Sequence, residues 1–513
     1  MALFTKRHNR GTRNGRSEVH PVDQMLPPGK LTAYGIQHIA AMYAGVAAPP
    51  LIVGQAIGLS PVEMTLLIGA SLLTAGLATL LQSIGVWRIG ARLPFVNGVT
   101  FASVAPMLAI VAQHGEANSL SIIYGSVLIA GVLAFLGAPY FSRMVRFFPP
   151  VVNGTVITLI GLSLFPVAIG WIAGQDPEAP DYASPVKLGL GAGTFLLVLL
   201  LNRFLKGFLN RVALLIGLVV GSLVAWPLDA VNTSTFAQAP IFNFPMPFEL
   251  GAPSFNLTAT ISICIVMLVA MTESTADMIA LGEIVDRPAG EQTIAAGLRA
   301  DGAGSALSAV FGGFTCSAFA QNIGLVALTR VKSRFVVAAA GGVLIVLGLF
   351  PVIGAIVSLV PQPVLGGAAL VLFGSVAASG MRTLGKAGLG DPFNALIVSG
   401  ALGVGIIPIV APEFYEHFPA AMRTVLDSGI STGCLVAVLL NLLFNSGRAR
   451  KAELAAQNED GEQDPLTALE EDSTSTVTDS EDVGAAGQDL GPVPVPEAER
   501  DNPRTETKTE TRN

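Results

Sequence analysis

Charge is scarce in this chain. Only 13% of its 513 residues are Asp, Glu, Lys or Arg, against about 25% in an average soluble domain, which argues against a water-soluble globular enzyme. Cysteine is scarcer still. Cys264, Cys316 and Cys434 are the only three, too few for the disulfide framework of a secreted scaffold, and each sits in apolar sequence where a free thiol acts as a small hydrophobe. What replaces charge is apolar sequence: 51% hydrophobic residues at a mean hydropathy of +0.62. There are also 56 Gly and 33 Pro, a mixture suited to closely packed or interrupted membrane helices.

The few charges are unevenly placed. Through Lys451 there are 25 Lys and Arg against 19 Asp and Glu; from Ala452 onward there are 4 against 17. A basic-biased membrane body thus carries an acidic tail, 447–513, too poor in apolar residues to fold alone and expected to be disordered. Its sign makes nucleic acid an unfavourable partner. The first 30 residues are a basic arm (Lys6, Arg7, Arg10, Arg13, Arg16, Lys30). The apolar segment that follows is too long for a signal peptide core, so the arm is read as retained and cytoplasmic.

Fourteen apolar segments have roughly bilayer-crossing length: 33–53, 63–83, 95–112, 120–140, 150–173, 187–202, 212–230, 258–281, 292–310, 313–329, 335–359, 363–380, 392–411 and 427–445. The third, ninth and tenth are weaker and read as broken or half-length candidates. With the N-terminus inside, alternate loops collect the basic residues (Arg88, Arg92; Arg143, Arg146; Arg203, Lys206, Arg211; Arg287; Arg330, Lys332, Arg334; Arg382, Lys386; Arg448, Arg450, Lys451). The opposite loops hold Lys187 and Arg423 among acids such as Glu116, Asp176 and Glu413. This sustained positive-inside pattern predicts an even number of spans in the cell membrane, with both termini cytoplasmic.

The halves echo each other. Pro150-Val151-Val152-Asn153-Gly154 aligns with Pro363-Val364-Leu365-Gly366-Gly367, and Gly98-Val99-Thr100 aligns with Gly313-Phe314-Thr315. Spans 3 and 5 therefore recur as 10 and 12. Seven intervening spans would turn the copies upside down, an inverted repeat of the transporter kind. The alternative is chance likeness among Gly/Pro-rich segments. The corresponding segments Leu93–Ser103 and Phe311–Asn322 both disfavour continuous helix. Broken backbone at membrane depth is tolerated where protein or a water-filled cavity covers it, and a broken pair points to a binding site. Each break would present a half-helix N-terminus to an electron-rich or anionic ligand.

Ionisable residues within apolar spans are the remaining candidates. Glu273 and Asp277 are four apart and share a helix face in span 8; Asp301 lies in span 9; His38, beside Gln37, lies in span 1, and one reading sets it facing Glu273. For His38 a backbone carbonyl contact between helices is an open alternative, and for Asp277 and Asp301 the alternative is securing helix ends. Glu273 has no nearby cation in sequence and is the favoured proton-carrying or ligand-binding carboxylate. No HExxH, CxxC or GxSxG occurs. Gly388-Leu389-Gly390-Asp391 matches the GxGD string of intramembrane aspartyl proteases but falls in a loop without a second aspartate. The glycine run Gly189–Gly193 reads as a helix contact. No metal site, cofactor or enzymatic activity is expected.

Gln321-Asn322-Ile323-Gly324-Leu325-Val326-Ala327-Leu328-Thr329 resembles the signature of the nucleobase–ascorbate transporter family (nucleobase:cation symporter-2). Gln37-His38, Met271-Thr272-Glu273-Ser274 and Asp301 stand where that family has them, and the likeness covers about 30–446. The resemblance implies an all-α polytopic membrane fold of about 14 segments in a 7+7 inverted repeat, with short strands in spans 3 and 10. It implies a core domain (31–147 and 258–360) and a gate domain (148–257 and 361–446), the latter usually forming a homodimer interface. It implies elevator-type, proton-coupled uptake of a nucleobase between them. Glu273 and Gln321 would bind the base, Asn322 would organise the site, and Phe101 and Phe319 would stack or offer backbone contacts. Glu273, His38, Asp301 and Asp277 are the candidates for proton coupling. Gln321, where uracil-type members carry Glu and animal ascorbate-type members carry Pro, resembles the xanthine and uric acid group, and Thr100 hints at urate. Asp277 stands where uracil-type members tend to have His. A Gln amide offers a donor and acceptors to the edge of an oxopurine. The rival readings are another nucleobase such as uracil, an anion transporter of related fold, and a passive channel.

Overall fold

The computed structural model describes residues 19–144, 149–174, 178–228, 230, 240–352, 355 and 359–461. The chain divides into Met1–Arg448 and Ala449–Asn513. Of the second unit, residues 449–461 are described, and they are helical. The acidic tail from 462 and most of the basic arm lie outside the described residues.

The first half holds α1 (Pro28–Ala56), α2 (Pro61–Ile84), β1 (Asn97–Val99), α3 (Val104–His114), α4 (Glu116–Met144), α5 (Pro150–Ser163), α6 (Phe165–Ala173), α7 (Pro185–Phe204) and α8 (Ala213–Ala225). The second holds α9 (Leu257–Ile284), α10 (Glu291–Phe311), β2 (Cys316–Ala318), α11 (Ala320–Thr329), α12 (Arg334–Gly348), α13 (Gln362–Gly385), α14 (Pro392–Val410) and α15 (Gly429–Gly461). Several helices start on proline (Pro28, Pro61, Pro150, Pro185, Pro392), where its fixed φ helps and its missing N–H costs nothing. Ser60 and Glu63 add a reciprocal cap to α2, and Asn256 caps α9 through Ala259 N–H at 3.0 Å.

Eight helices among the described residues are long and apolar enough to cross a bilayer, and four shorter apolar ones accompany them. Each of the fourteen apolar sequence segments falls on an element, and the third and tenth are broken, each into a strand and a half-helix. One reading changes. The ninth segment is a continuous 21-residue helix, α10; its Glu, Arg and Asp lower its hydropathy without breaking it. The fifth segment is one 24-residue apolar span, Pro150–Ala173, as expected, with an interruption at Leu164 between α5 and α6, because Pro166 cannot donate back into the preceding turn.

Helices meet at glycines. A Cβ added to Gly131 of α4 would lie 2.6 Å from Ala306 N of α10, and one on Gly302 2.7 Å from Gly131 O. The same arrangement recurs between α2 and α12, where a Cβ on Gly76 would lie 2.6 Å from Gly341 O. Contacts between elements are reciprocal more widely: α1 packs on α12 as α9 packs on α4, and α5 crosses α13 while β1 pairs with β2. Backbone approach of this closeness supplies the van der Waals contact that holds helices together where lipid removes the hydrophobic incentive.

Candidate functional site

The two broken segments meet. β1 and β2 pair antiparallel, Asn97 opposite Ala318, Gly98 opposite Ser317 and Val99 opposite Cys316. Thr100 N–H donates to Thr315 O at 2.9 Å and Phe319 N–H to Val96 O at 3.0 Å, extending the ladder. Each strand then runs into a helix start: Thr100 accepts Ala102 N–H at 3.2 Å ahead of a 3-10 turn and α3, and Phe319 precedes α11.

Polar side chains from three helices fix the strands. Thr79 of α2 both donates to Asn97 O and accepts Asn97 N–H, each at 3.0 Å. The Asn97 amide donates to Asp301 Oδ1 of α10 at 2.6 Å, and the Gln82 amide donates to the same oxygen at 2.7 Å. Ser305 of α10 accepts Cys316 N–H at 2.9 Å. Ser274 of α9 accepts Ala318 N–H at 3.1 Å, which sets the register of its neighbour Glu273 against β2.

Glu273 lines a cavity of about 500 Å³ together with Thr100, Phe101, Ser317, Ala318 and Phe319. The opposite side comes from α5 (Ile157, Ile160), α7 (Val198, Asn202) and α13 (Val371, Ser375, Ser379, Arg382). Such a hollow has the size of a small-molecule site and the usual mix of aromatic lining and a few polar groups. Glycines shape its floor. A Cβ on Gly98 would lie 2.6 Å from Cε2 of Phe319, and one on Gly45 2.9 Å from its Cε1, so the Phe319 ring is seated where only glycine leaves room. Phe101 meets Phe373 of α13 edge-on, centroids 5.8 Å apart.

The remaining candidates sit behind this lining. Asn322 is buried and donates to His38 O at 3.2 Å, with its amide also 3.1 Å from His38 Nδ1, tying α11 to α1. Asp301 is buried among the strand anchors rather than at the cavity surface. Asp277 lies one turn from Glu273, within electrostatic reach of Glu273 and Asp301, and its buried Oδ2 has no hydrogen-bond partner among the described residues. Gln321 occupies the second position of α11; its side chain lies outside the described residues. The sequence reading gave no role to Gln82, Thr79, Ser274 or Ser305. Gln82, an amide at the end of a strongly apolar helix, carries a signal that could have been read; the hydroxyls carry none, since serine and threonine are ordinary in membrane helices.

Residues 29–414 match the permease family. The chain belongs to that family. Its Gln321–Thr329 signature and the comparisons agree on the nucleobase:cation symporter-2 group. Uric acid transporter UacT of Escherichia coli (strain K12) is 40% identical over 439 residues, covering 85% of this chain and 90% of that protein. The Bacillus subtilis (strain 168) protein named xanthine permease is 38% identical over 432 residues, covering 83% and 97%. Among solved structures, the transmembrane domain of the cyanobacterial bicarbonate transporter BicA superposes with a TM-score of 0.51 at 14% identity, over 82% of this chain and all of that one. Murine Slc26a9, in a structure described as inward-facing, gives 0.54 at 12% identity, over 81% and 68%. At such identities the likeness is one of fold.

Proposed function

We propose that this permease carries an oxopurine, uric acid or xanthine, across the cell membrane together with a proton. The observation that carries the reading is the cavity itself. It brings one carboxylate, two phenylalanine rings and the edges of two short strands around a space sized for a flat heterocycle. Glu273 accepts ring N–H groups, the strand backbone and the amide of Gln321 complete the recognition of alternating C=O and N–H edges, and Phe101 and Phe319 supply apolar faces. The names of the relatives support the purine class. Gln321, in place of Glu, favours an oxopurine over uracil.

Transport follows from which parts are anchored. The strands, α1–α4 and α9–α12 form the moving core; α5–α8 and α13–α15 form the gate and the face for a second copy. The reciprocal helix contacts support a 7+7 inverted relation between the halves. Arg382, Asn202 and Asn210 line the cavity and adjoin loops that the charge pattern assigns to the cytoplasm, so the conformation is read as open inward. A carboxylate crossing the bilayer is costly. Protonation of Glu273 or of Asp277 beside it lowers that cost, which couples movement to the pH gradient.

The purified protein in liposomes should accumulate urate or xanthine, and uptake should collapse when the pH gradient is dissipated. Gradient-independent accumulation would refute coupling. Glu273→Gln should abolish uptake while the protein remains folded in the membrane; near-normal uptake would remove Glu273 from the mechanism. Thermal stabilisation by xanthine, urate, uracil, ascorbate or sulphate ranks the substrate classes, since a ligand that binds only the folded form raises the melting temperature.

A further inference from the structure

A second polar cavity, about 520 Å³, shares no lining residue with the first. It is walled by the turn between α2 and β1, the end of α4, and the first half of α10. Arg88, Arg92, Arg287 and Arg299 line it, and Glu291 is the one carboxylate that does among the described residues. Arg287 pairs with Asp23 at 3.0 Å. Arg88, Arg92 and Arg299 pair with no carboxylate among the described residues. Arg299 lies eight residues into α10, about 12 Å along its axis, and donates to Arg88 O at 3.3 Å. A guanidinium placed there, with only a carbonyl to serve, leaves most of its five donors for something else.

The turn that presents these groups is rigid. Val86 and Ile89 exchange both backbone hydrogen bonds at 2.9 Å. Gly90 N–H donates to Ala296 O at 2.7 Å. Gly90 has φ +97°, and a Cβ there would meet Leu81 O at 2.0 Å. The tip carries Trp87, 83% exposed, with the Arg88 guanidinium 5.8 Å over its ring. Ile84 and Val86 are exposed beside it.

We infer that this cavity binds the phosphate headgroup of an anionic phospholipid. Phosphate chemistry follows from the surplus of arginine, whose planar fork matches phosphate oxygens. A lipid, rather than a free anion, follows from the rim: Ile84, Val86 and Trp87 form an exposed apolar edge at the end of a membrane-spanning helix. There an indole sits at headgroup level, and basic clusters attract anionic lipid. The acyl chains would run along that edge while the phosphate enters between Arg88, Arg92 and Arg299.

Full-length protein is reconstituted in nanodiscs of phosphatidylcholine alone and of phosphatidylcholine with a minor share of phosphatidylglycerol, and its melting temperature is read in each. The wild type should melt several degrees higher with phosphatidylglycerol. Arg88→Gln/Arg299→Gln should lose most of that increment, and Trp87→Ala part of it. Arg203→Gln, which removes a charge outside the cavity, should keep it all. Equal melting of the wild type in the two lipids, or a full increment in the double variant, overturns the proposal. So does an equal increment from inorganic phosphate or glycerol phosphate added to phosphatidylcholine discs, which would mark a site for a soluble anion. Should the double variant fail to fold in phosphatidylcholine, Arg88→Gln alone, at an exposed side chain, decides the matter by the same readings.

Discussion

The two sides of the Glu273 cavity are built by different means. On one side, strand backbone and side chains are held by a dense set of short hydrogen bonds: Asn97 and Gln82 to Asp301, Thr79 to Asn97, Ser274 and Ser305 to β2. On the other, α5, α7 and α13 are held by close packing. A Cβ on Gly161 would lie 2.4 Å from Ala377 N, and one on Gly367 2.2 Å from Gly191 O. The cavity hydroxyl of Ser375 bonds within its own helix, to Leu372 O at 2.6 Å. Hydrogen bonds fix direction and distance, whereas apolar packing fixes mainly distance. The first side is therefore suited to recognise a ligand's polar edge, and the second to offer a smooth surface.

The largest effect should come from disturbing the anchored side at its tightest point. Gly98→Val should abolish uptake, because its Cβ would fall within 2.8 Å of both the Phe319 ring and Val46 Cγ2 and the strands cannot part without losing their anchors. Substrate-induced thermal stabilisation checks whether binding goes with it. Next comes Asp301→Ala, which removes the acceptor of one buried N–H from each of Asn97 and Gln82, while the Gln82 amide keeps its bond to Gly297 O at 2.8 Å. Leaving two buried donors unmet should cost about 2–4 kcal/mol, read as a lower melting temperature in detergent. Asp301→Asn, which keeps an acceptor at Oδ1, should cost less. Equal losses in the two variants would mean that charge, not hydrogen bonding, is what Asp301 contributes, and the contrast between the sides would need restating.

These anchors also show where the sequence was readable. Glu273 was legible because a carboxylate in apolar sequence with no adjacent cation has few uses. The paired breaks at Leu93–Ser103 and Phe311–Asn322 were legible because proline, glycine and threonine oppose helix locally, and the signature at Gln321–Thr329 added the family. Asp301 was legible as a candidate but not as an anchor, since Gln82 and Asn97 are 219 and 204 residues away along the chain. The packed side was nearly silent. Ser375, Ser379 and Arg382 repeat at helical spacing, but only the rotation of α13 in the fold says which face meets the cavity.

Arg382 tests that quieter side with a smaller effect. It lines the cavity beside Asn202 and Asn210, where a cation raises the local concentration of an anionic substrate without touching the strands. Arg382→Gln should raise the KM for urate roughly threefold to tenfold, with the gap narrowing as salt is added, and should leave stability unchanged. A fall in maximal rate at unchanged KM would place Arg382 in the movement of the helices instead.

The smallest effect should come from a polar contact on the anchored side that lies outside the cavity. Lys332 pairs with Asp286, just past the end of α9, and its ammonium holds the Asp286 carboxyl below the ordinary carboxylate range. With the folded value depressed, the pair's contribution is complete above the unfolded value near pH 3.9 and is lost only as pH falls through the lower folded one. Over the pH range of a transport assay it is therefore constant. Because Asp286 is exposed, solvent and salt screen it. Asp286→Asn should thus leave melting temperature, KM and the pH profile of uptake close to wild type at neutral pH. A marked loss of uptake would mean that the end of α9 transmits force to Glu273, thirteen residues back on the same helix, and the anchored side would have to be extended to the membrane surface.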